Sequence, residues 1–213
     1  MSFLSVPISA RQYLRDGTHA EHVRLNRHPQ LSGITRPGYE LASYQAVLTA
    51  YFHFYREIEM AIDRALAAGL SSFTYDARRK LPWIVSDLEH FGISDPEAAI
   101  CRPGSPVVQL GFADEGALLG ALYTIEGSSL GGQVISRHLA EQHGLNSSTG
   151  ARFFHGYGER TMPFWGEFEQ FMNAALNHDA DRERALAAAK STFAMMESVL
   201  DEYVVRNQSP SSP

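Results

Sequence analysis

Apolar side chains return every three or four positions along most of this chain, the repeat of one face of an α-helix. Between Tyr44 and Leu66 the series Tyr44, Val47, Leu48, Tyr51, Phe54, Tyr55, Ile58, Ile62 and Leu66 predicts a long amphipathic helix. A second series, Leu186, Ala189, Phe193, Met196, Leu200 and Tyr203, follows the capping candidates Asp179 and Asp181 in an alanine-rich stretch and predicts another. Shorter patterns predict helices over 8–27, 76–91, 115–143 and 162–176, with Pro82 starting or kinking the second of them. Alternating, strand-like runs are nearly absent, so the expected fold class is all-α. Segments 29–38 and 101–114, rich in proline and glycine, are expected to be connecting loops. The closing residues NQSPSSP have no apolar anchor, which predicts one domain over 1–206 and a disordered tail over 207–213.

Composition narrows the function classes. With 213 residues, 44% of them hydrophobic, the chain can build one good core and is short for two domains. Its 18 Lys+Arg against 24 Asp+Glu give a formal net charge of −6 with no basic block, which excludes nucleic acid as an expected partner. The single cysteine, Cys101, allows neither an intrachain disulfide nor a cysteine metal cluster, and this fits a reducing, cytoplasmic location. The N-terminus has no basic leader ahead of a long apolar run, so no cleaved signal is expected. No stretch approaches the roughly 18 to 20 uninterrupted apolar residues of a membrane span.

The candidate chemistry lies in two places. In Leu118–Leu139, LLGALYTIEGSSLGGQVISRHL, a helical pattern is interrupted by Gly127, Gly131 and Gly132. Each glycine inside a helix costs about 1 kcal/mol relative to alanine, so the cluster needs a kink, a tight helix crossing, or a flat ligand pressed on bare backbone. The spacing alone slightly favours a kinked or closely packed core helix. The segment Gly127-Ser128-Ser129-Leu130-Gly131 also satisfies the G-x-S-x-G nucleophile elbow of α/β-hydrolases, with Ser129 as nucleophile, but the parallel sheet that an elbow needs is not predicted. The second place is LRDGTHAEH, where His19 and His22 fall one turn apart on a predicted helix. A neutral imidazole can ligate a transition metal, although a single histidine is more often a solvated or satisfied residue. No glutamate is followed three residues later by histidine, which disfavours di-iron chemistry, and P-loop and H-E-x-x-H signatures are absent.

Taken in order, LRDGTHAEH, YTIEGSSLGGQVI and AKSTF on an all-α chain of this length resemble the haem oxygenases, and the central motif resembles most the bacterial branch that accompanies bacteriophytochromes. The resemblance implies a helical fold that sandwiches haem between an N-terminal proximal helix and a kinked, glycine-rich distal helix. It implies oxidative cleavage of haem to biliverdin, CO and Fe(II) with O2 and electrons from a ferredoxin or reductase, and a phytochrome as a user of the biliverdin. The family's proximal ligand stands four residues after a threonine, which carries the role to His22, with His19 as the alternative if the register is shifted. Arg15 falls where a basic residue faces a haem propionate. Gly127, Gly131 and Gly132 correspond to the distal backbone that approaches the haem, and Phe193 to an aromatic wall residue.

The chain departs from the family pattern in three ways. Ser128 stands where many members carry an aspartate that holds the proton-delivering water, so Ser128 or Ser129 is expected to contribute a hydroxyl instead. Asn26 stands where a carboxylate often orients the proximal histidine. The penultimate helix, PFWGEFEQFMN, lacks the expected basic residues, which leaves Arg137, Arg152 and Arg160 as candidate propionate partners. A non-catalytic haem carrier is the alternative function.

Overall fold

The computed structural model describes residues 8–96 and 110–207, with side chains described as far as residue 202. Every regular element among them is helical: α1 (Ala10–Gly17), α2 (His19–Asn26), α3 (Pro29–Ser32), α4 (Leu41–Ala67), α5 (Leu81–His90), α6 (Glu115–His143), α7 (Arg152–His155), α8 (Thr161–Ala175) and α9 (Asp179–Asn207), with two short 3-10 turns. Of the expected 101–114 loop, residues 101–109 lie outside the described residues, as do 208–213 of the expected tail; Asn207 is the last residue of α9.

The expected helices over 115–143 and around 44–66 and 162–176 form within a few residues of their predicted ends. Three expectations are corrected. The segment 8–27 is two helices, because Thr18 leaves helical geometry at φ −106°, ψ 6° while its hydroxyl donates to the Leu14 carbonyl at 2.7 Å. The segment 76–91 breaks at Arg79, and Pro82 sits in the first turn of α5 and starts that helix. The buried Glu59 carboxylate on α4 accepts from the Lys80 and Leu81 backbone N–H groups at 2.6 and 3.3 Å, filling the orphan positions at this start. The 29–38 segment contains α3, begun by Pro29 and capped by His28, whose Nδ1 accepts from Gln30 N–H.

The core is centred on α4, whose Tyr44, Val47, Leu48, Phe54, Tyr55, Ile58 and Ile62 are fully buried. Each such side chain contributes roughly 1.5–3 kcal/mol of burial free energy. α6 packs most extensively on α9, along a seam of small residues in which Gly116 and Gly120 face Asp181 and Ala185. A Cβ at Gly120 would lie 2.0 Å from the Ala185 carbonyl oxygen, so the close crossing of these helices depends on that glycine. The short α7 is held by Asp87 of α5, whose carboxylate accepts from the Arg152 and Phe153 backbone N–H groups at 2.7 and 2.8 Å. Phe153 and Phe154 are thereby set against Tyr51 and Tyr55 of α4.

Candidate functional site

Helices α1, α2 and α6 enclose a cavity of about 590 Å³ together with parts of α4, α7, α8 and α9. All nine expected site residues line it: Arg15, His22, Asn26, Gly127, Ser128, Ser129, Gly131, Gly132 and Phe193. His19 lines it as well. The hydrolase alternative is corrected here: Gly127–Gly131 lies inside one uninterrupted α-helix, and no strand occurs among the described residues to support an elbow.

His22 stands on α2 with its ring edge-on to Phe193 of α9, the centroids 6.3 Å apart. Asn26, one turn further along α2, places its amide nitrogen 3.4 and 3.3 Å from Nδ1 and Nε2 of the His22 ring. Burial, and secondly the neighbouring His19, lower the proton affinity of His22. The ring is thereby kept neutral, with a nitrogen lone pair available to a metal.

On α6 the three glycines of the motif divide. A Cβ at Gly131 would meet nothing within 4 Å, and one at Gly127 would reach only the Trp165 ring at 3.8 Å. Protein packing does not require these two positions to be bare. At Gly132 a Cβ would lie 2.8 Å from the Phe154 carbonyl oxygen, so that glycine serves the contact with α7. Ser128 donates to the Ile125 carbonyl at 2.8 Å and lies 3.4 Å from the Tyr55 hydroxyl.

The cavity is polar at one end and apolar at the other. Arg11 and Arg15 of α1 lie near Tyr123, and Arg11 stands 5.9 Å from the Trp165 ring centroid. About 16 Å further along α6, Val134 and Ile135 line the other end with Leu31 and Ile34, where the chain after α3 is tied to α6 by Tyr39 contacts to Gln142 and His143. The expected propionate partners Arg137, Arg152 and Arg160 are not among the lining residues. Arg152 is drawn over Trp83 at 4.3 Å and donates to the Gly156 carbonyl, while Arg160 packs over Phe164. The cations at the cavity are Arg11, Arg15 and Lys80.

Sequence reasoning missed Arg11, Tyr55, Lys80, Tyr123 and Trp165 in this wall. Arg11 could have been found one helical turn before Arg15 and Tyr123 one turn before Gly127 at the head of the central motif, whereas Tyr55, Lys80 and Trp165 carry no local signal. Among the described residues no group of three or more His, Cys, Asp or Glu could hold a metal ion, and no helix is long and apolar enough to cross a membrane. The arrangement fits a flat, amphipathic group whose metal takes an imidazole: two histidines one turn apart, His19 and His22, bare backbone at two glycines, Arg11 and Arg15 at one end and apolar side chains at the other. Haem has those properties.

A helical cavity with imidazoles on one wall and open glycines on the other has the shape and chemistry of a haem site, and comparison with known proteins identifies the family. The family model described as Heme oxygenase matches residues 9–202, and the chain belongs to the haem oxygenase family. A heme oxygenase of Xanthomonas campestris pv. campestris (strain 8004) is 34% identical over 118 residues, which span 55% of this chain and 64% of that relative. Among solved structures, heme oxygenase from Leptospira interrogans superposes with a TM-score of 0.78 at 18% identity, covering 92% of this chain and all 100% of that one. The NO- and CO-bound heme oxygenase from Neisseria meningitidis superposes with a TM-score of 0.74 at 19% identity, covering 97% and 96%. At these identities the two structures speak for the fold.

Proposed function

We propose that this chain cleaves haem oxidatively to biliverdin, CO and Fe(II), using O2 and electrons from an external donor such as a ferredoxin or a reductase. The observation that carries the reading is the pairing of the neutral His22 imidazole with the open backbone of Gly127 and Gly131 in one cavity. Bound haem is the substrate, and it supplies the iron at which oxygen is reduced and the meso carbon that is attacked.

His22 ligates the iron, and Asn26 orients the ring as an amide, leaving the imidazole less anionic than a carboxylate partner would. Phe193 packs on the ring edge and limits its rotation. Gly127 and Gly131 admit the macrocycle close to the α6 backbone, where side chains would hold it off, and Gly132 keeps that stretch of α6 against α7. Ser128 and Ser129 offer hydroxyls that donate and accept protons on this side, with Tyr55 next in line. Arg15 pairs with a propionate, with Arg11 beside it in the place vacated by Arg137, Arg152 and Arg160. The biliverdin would serve as chromophore for a phytochrome, and the protein would act in the cytoplasm, in keeping with its central motif and its single cysteine.

The test is to add one equivalent of hemin, then ascorbate or a ferredoxin system with catalase present, and to identify the pigment by chromatography. Biliverdin is expected. A Soret band that survives reduction would establish the carrier function that the loss of an acid at Ser128 would favour. His22→Ala is expected to lose the histidine-ligated spectrum, and an unchanged spectrum would refute the ligand assignment.

A further inference from the structure

On the inner wall of the cavity, α4 carries two tyrosines one turn apart, Tyr51 and Tyr55, both buried and both lining the space. Tyr55 meets Ser128 of α6, while Tyr39, just ahead of α4, meets Gln142 and His143 further along α6. The two helices therefore run antiparallel here, and Tyr51 falls at the level of Gly131 and Gly132. Phe154 gives the same register: its carbonyl stands across from Gly132, and its ring packs on Tyr51 with centroids 6.3 Å apart. Phe153 holds both tyrosines, its centroid 5.5 Å from Tyr51 and 5.3 Å from Tyr55.

The hydroxyl hydrogens on this wall are not equally available. Ser128 donates to the Ile125 carbonyl at 2.8 Å, and with that hydrogen used its oxygen accepts from the Tyr55 hydroxyl at 3.4 Å. Both hydrogens are thus committed within the protein. Tyr51 differs: its side chain is 5% exposed, and its hydroxyl has no hydrogen-bond partner among the described residues. The polar side-chain atoms that are both sealed in protein and unpartnered there are Glu21 Oε2 and Trp165 Nε1. The Tyr51 oxygen is not sealed in this way, and its small remaining exposure is to the cavity it lines. Burial, and secondly Tyr39, raise the proton affinity of Tyr51, so the hydroxyl keeps its hydrogen. Leaving a buried hydroxyl unpaired costs stability that phenylalanine in the same space would not lose. The fold has no use for this donor, whereas a ligand in the cavity does.

Building on the haem-binding reading above, we propose that Tyr51 is a ligand-discriminating residue: its hydroxyl donates a hydrogen bond to a small polar ligand held on the α6 face of the haem, directly or through one water. The reaction takes up O2 and releases CO at the same place. Oxygen gains negative charge as it is reduced and accepts a hydrogen bond strongly, whereas CO is a poor acceptor. The Tyr51 hydroxyl thereby favours the reactant over the product. It also supplies the donor that Ser128 and Tyr55 can offer only by giving up the bonds they already make.

The experiment uses the full chain loaded with hemin, with fluoride titrated into the ferric form as the hydrogen-bond-accepting probe and CO into the ferrous form as the poor acceptor. Tyr51→Phe removes the hydroxyl and leaves the ring on Phe153 and Phe154. It is expected to weaken fluoride binding about five- to tenfold, the worth of one hydrogen bond, while CO affinity stays within about twofold. Tyr55→Phe should weaken fluoride by less, because its hydrogen is committed to Ser128. Damage to the pocket would weaken both probes together. If Tyr51→Phe does not fold, Tyr51→Leu takes its place. In the wild-type protein, the iron–fluoride stretch in resonance Raman spectra should shift between H2O and D2O, and this reading needs no variant. Unchanged fluoride affinity, CO falling with fluoride, a loss in Tyr55→Phe as large as in Tyr51→Phe, or no isotope shift overturns the proposal. No Soret band in the wild-type protein would instead overturn the haem reading on which it rests.

Discussion

The two ends of the α6 glycine series differ in what lies opposite them. Gly116 and Gly120 face the backbone of α9, at 2.9 Å from the Asp181 oxygen and 2.0 Å from the Ala185 oxygen for an added Cβ. Gly127 and Gly131, about two to four turns later on the same helix, face a cavity. The first pair brings two helices together, whereas the second leaves room that the protein itself does not fill. Gly132, although adjacent to Gly131, belongs with the packing group through its contact with Phe154. A glycine in a helix is thus evidence for a ligand only once the space across from it is known to be empty.

The largest expected effect is at the packed end. Gly120→Ala should destabilise by about 3 kcal/mol or more, or prevent folding, because the added methyl meets backbone that cannot rotate away; urea denaturation measures it. At the open end the sign should reverse. Gly131→Ala should fold with a stability gain approaching about 1 kcal/mol from helix propensity while hemin affinity falls roughly tenfold, read by denaturation and by Soret titration. Gly127→Ala should behave in the same way with a smaller stability gain, since Trp165 must accommodate the methyl. Loss of stability in all three would erase the distinction between the two ends.

A smaller effect concerns the helix that supports the cavity from the other side. Asp87→Asn keeps one acceptor and loses the charge that two N–H groups of α7 share, so it should cost about 1–2 kcal/mol in thermal unfolding. The smallest effect is at His22. Its folded-state proton affinity lies below the ordinary 6.5, through burial first and His19 second. The folded chain then binds fewer protons than the unfolded one below that pH. The stability associated with a neutral His22 is therefore full above about 6.5 and is lost as the pH falls through the lower folded value. In an NMR titration of the haem-free protein His22 should titrate below 6.5, and His19→Ala should move the midpoint only part of the way back, because burial remains.

Periodicity made the long helices legible, since α4, α6 and α9 each carry many turns of repeated apolar positions and few competing signals. The shorter elements were harder to read. The break at Thr18 rests on a hydroxyl bonded within its own turn, the start of α5 on a carboxylate 21 residues away, and α7 on Asp87, 65 residues away. Local pattern does not reach those partners. In the cavity, residues that share a motif were found together, while Lys80, Tyr55 and Trp165 come from separate helices and loops.

The sequence by itself determined the all-α class, the long helices, and the histidine pair and central glycines as unusual, because each depends on neighbours within a few turns, while the family resemblance singled out His22 and Asn26. The tertiary structure decided which glycines are open and which are packed. It also placed Arg11 beside Arg15 in the cavity wall, left Arg137, Arg152 and Arg160 out of that wall, and surrounded Glu126 with Lys80, Arg78 and Tyr157. These depend on distances between residues far apart in the chain, and such distances exist only once the helices have packed against one another.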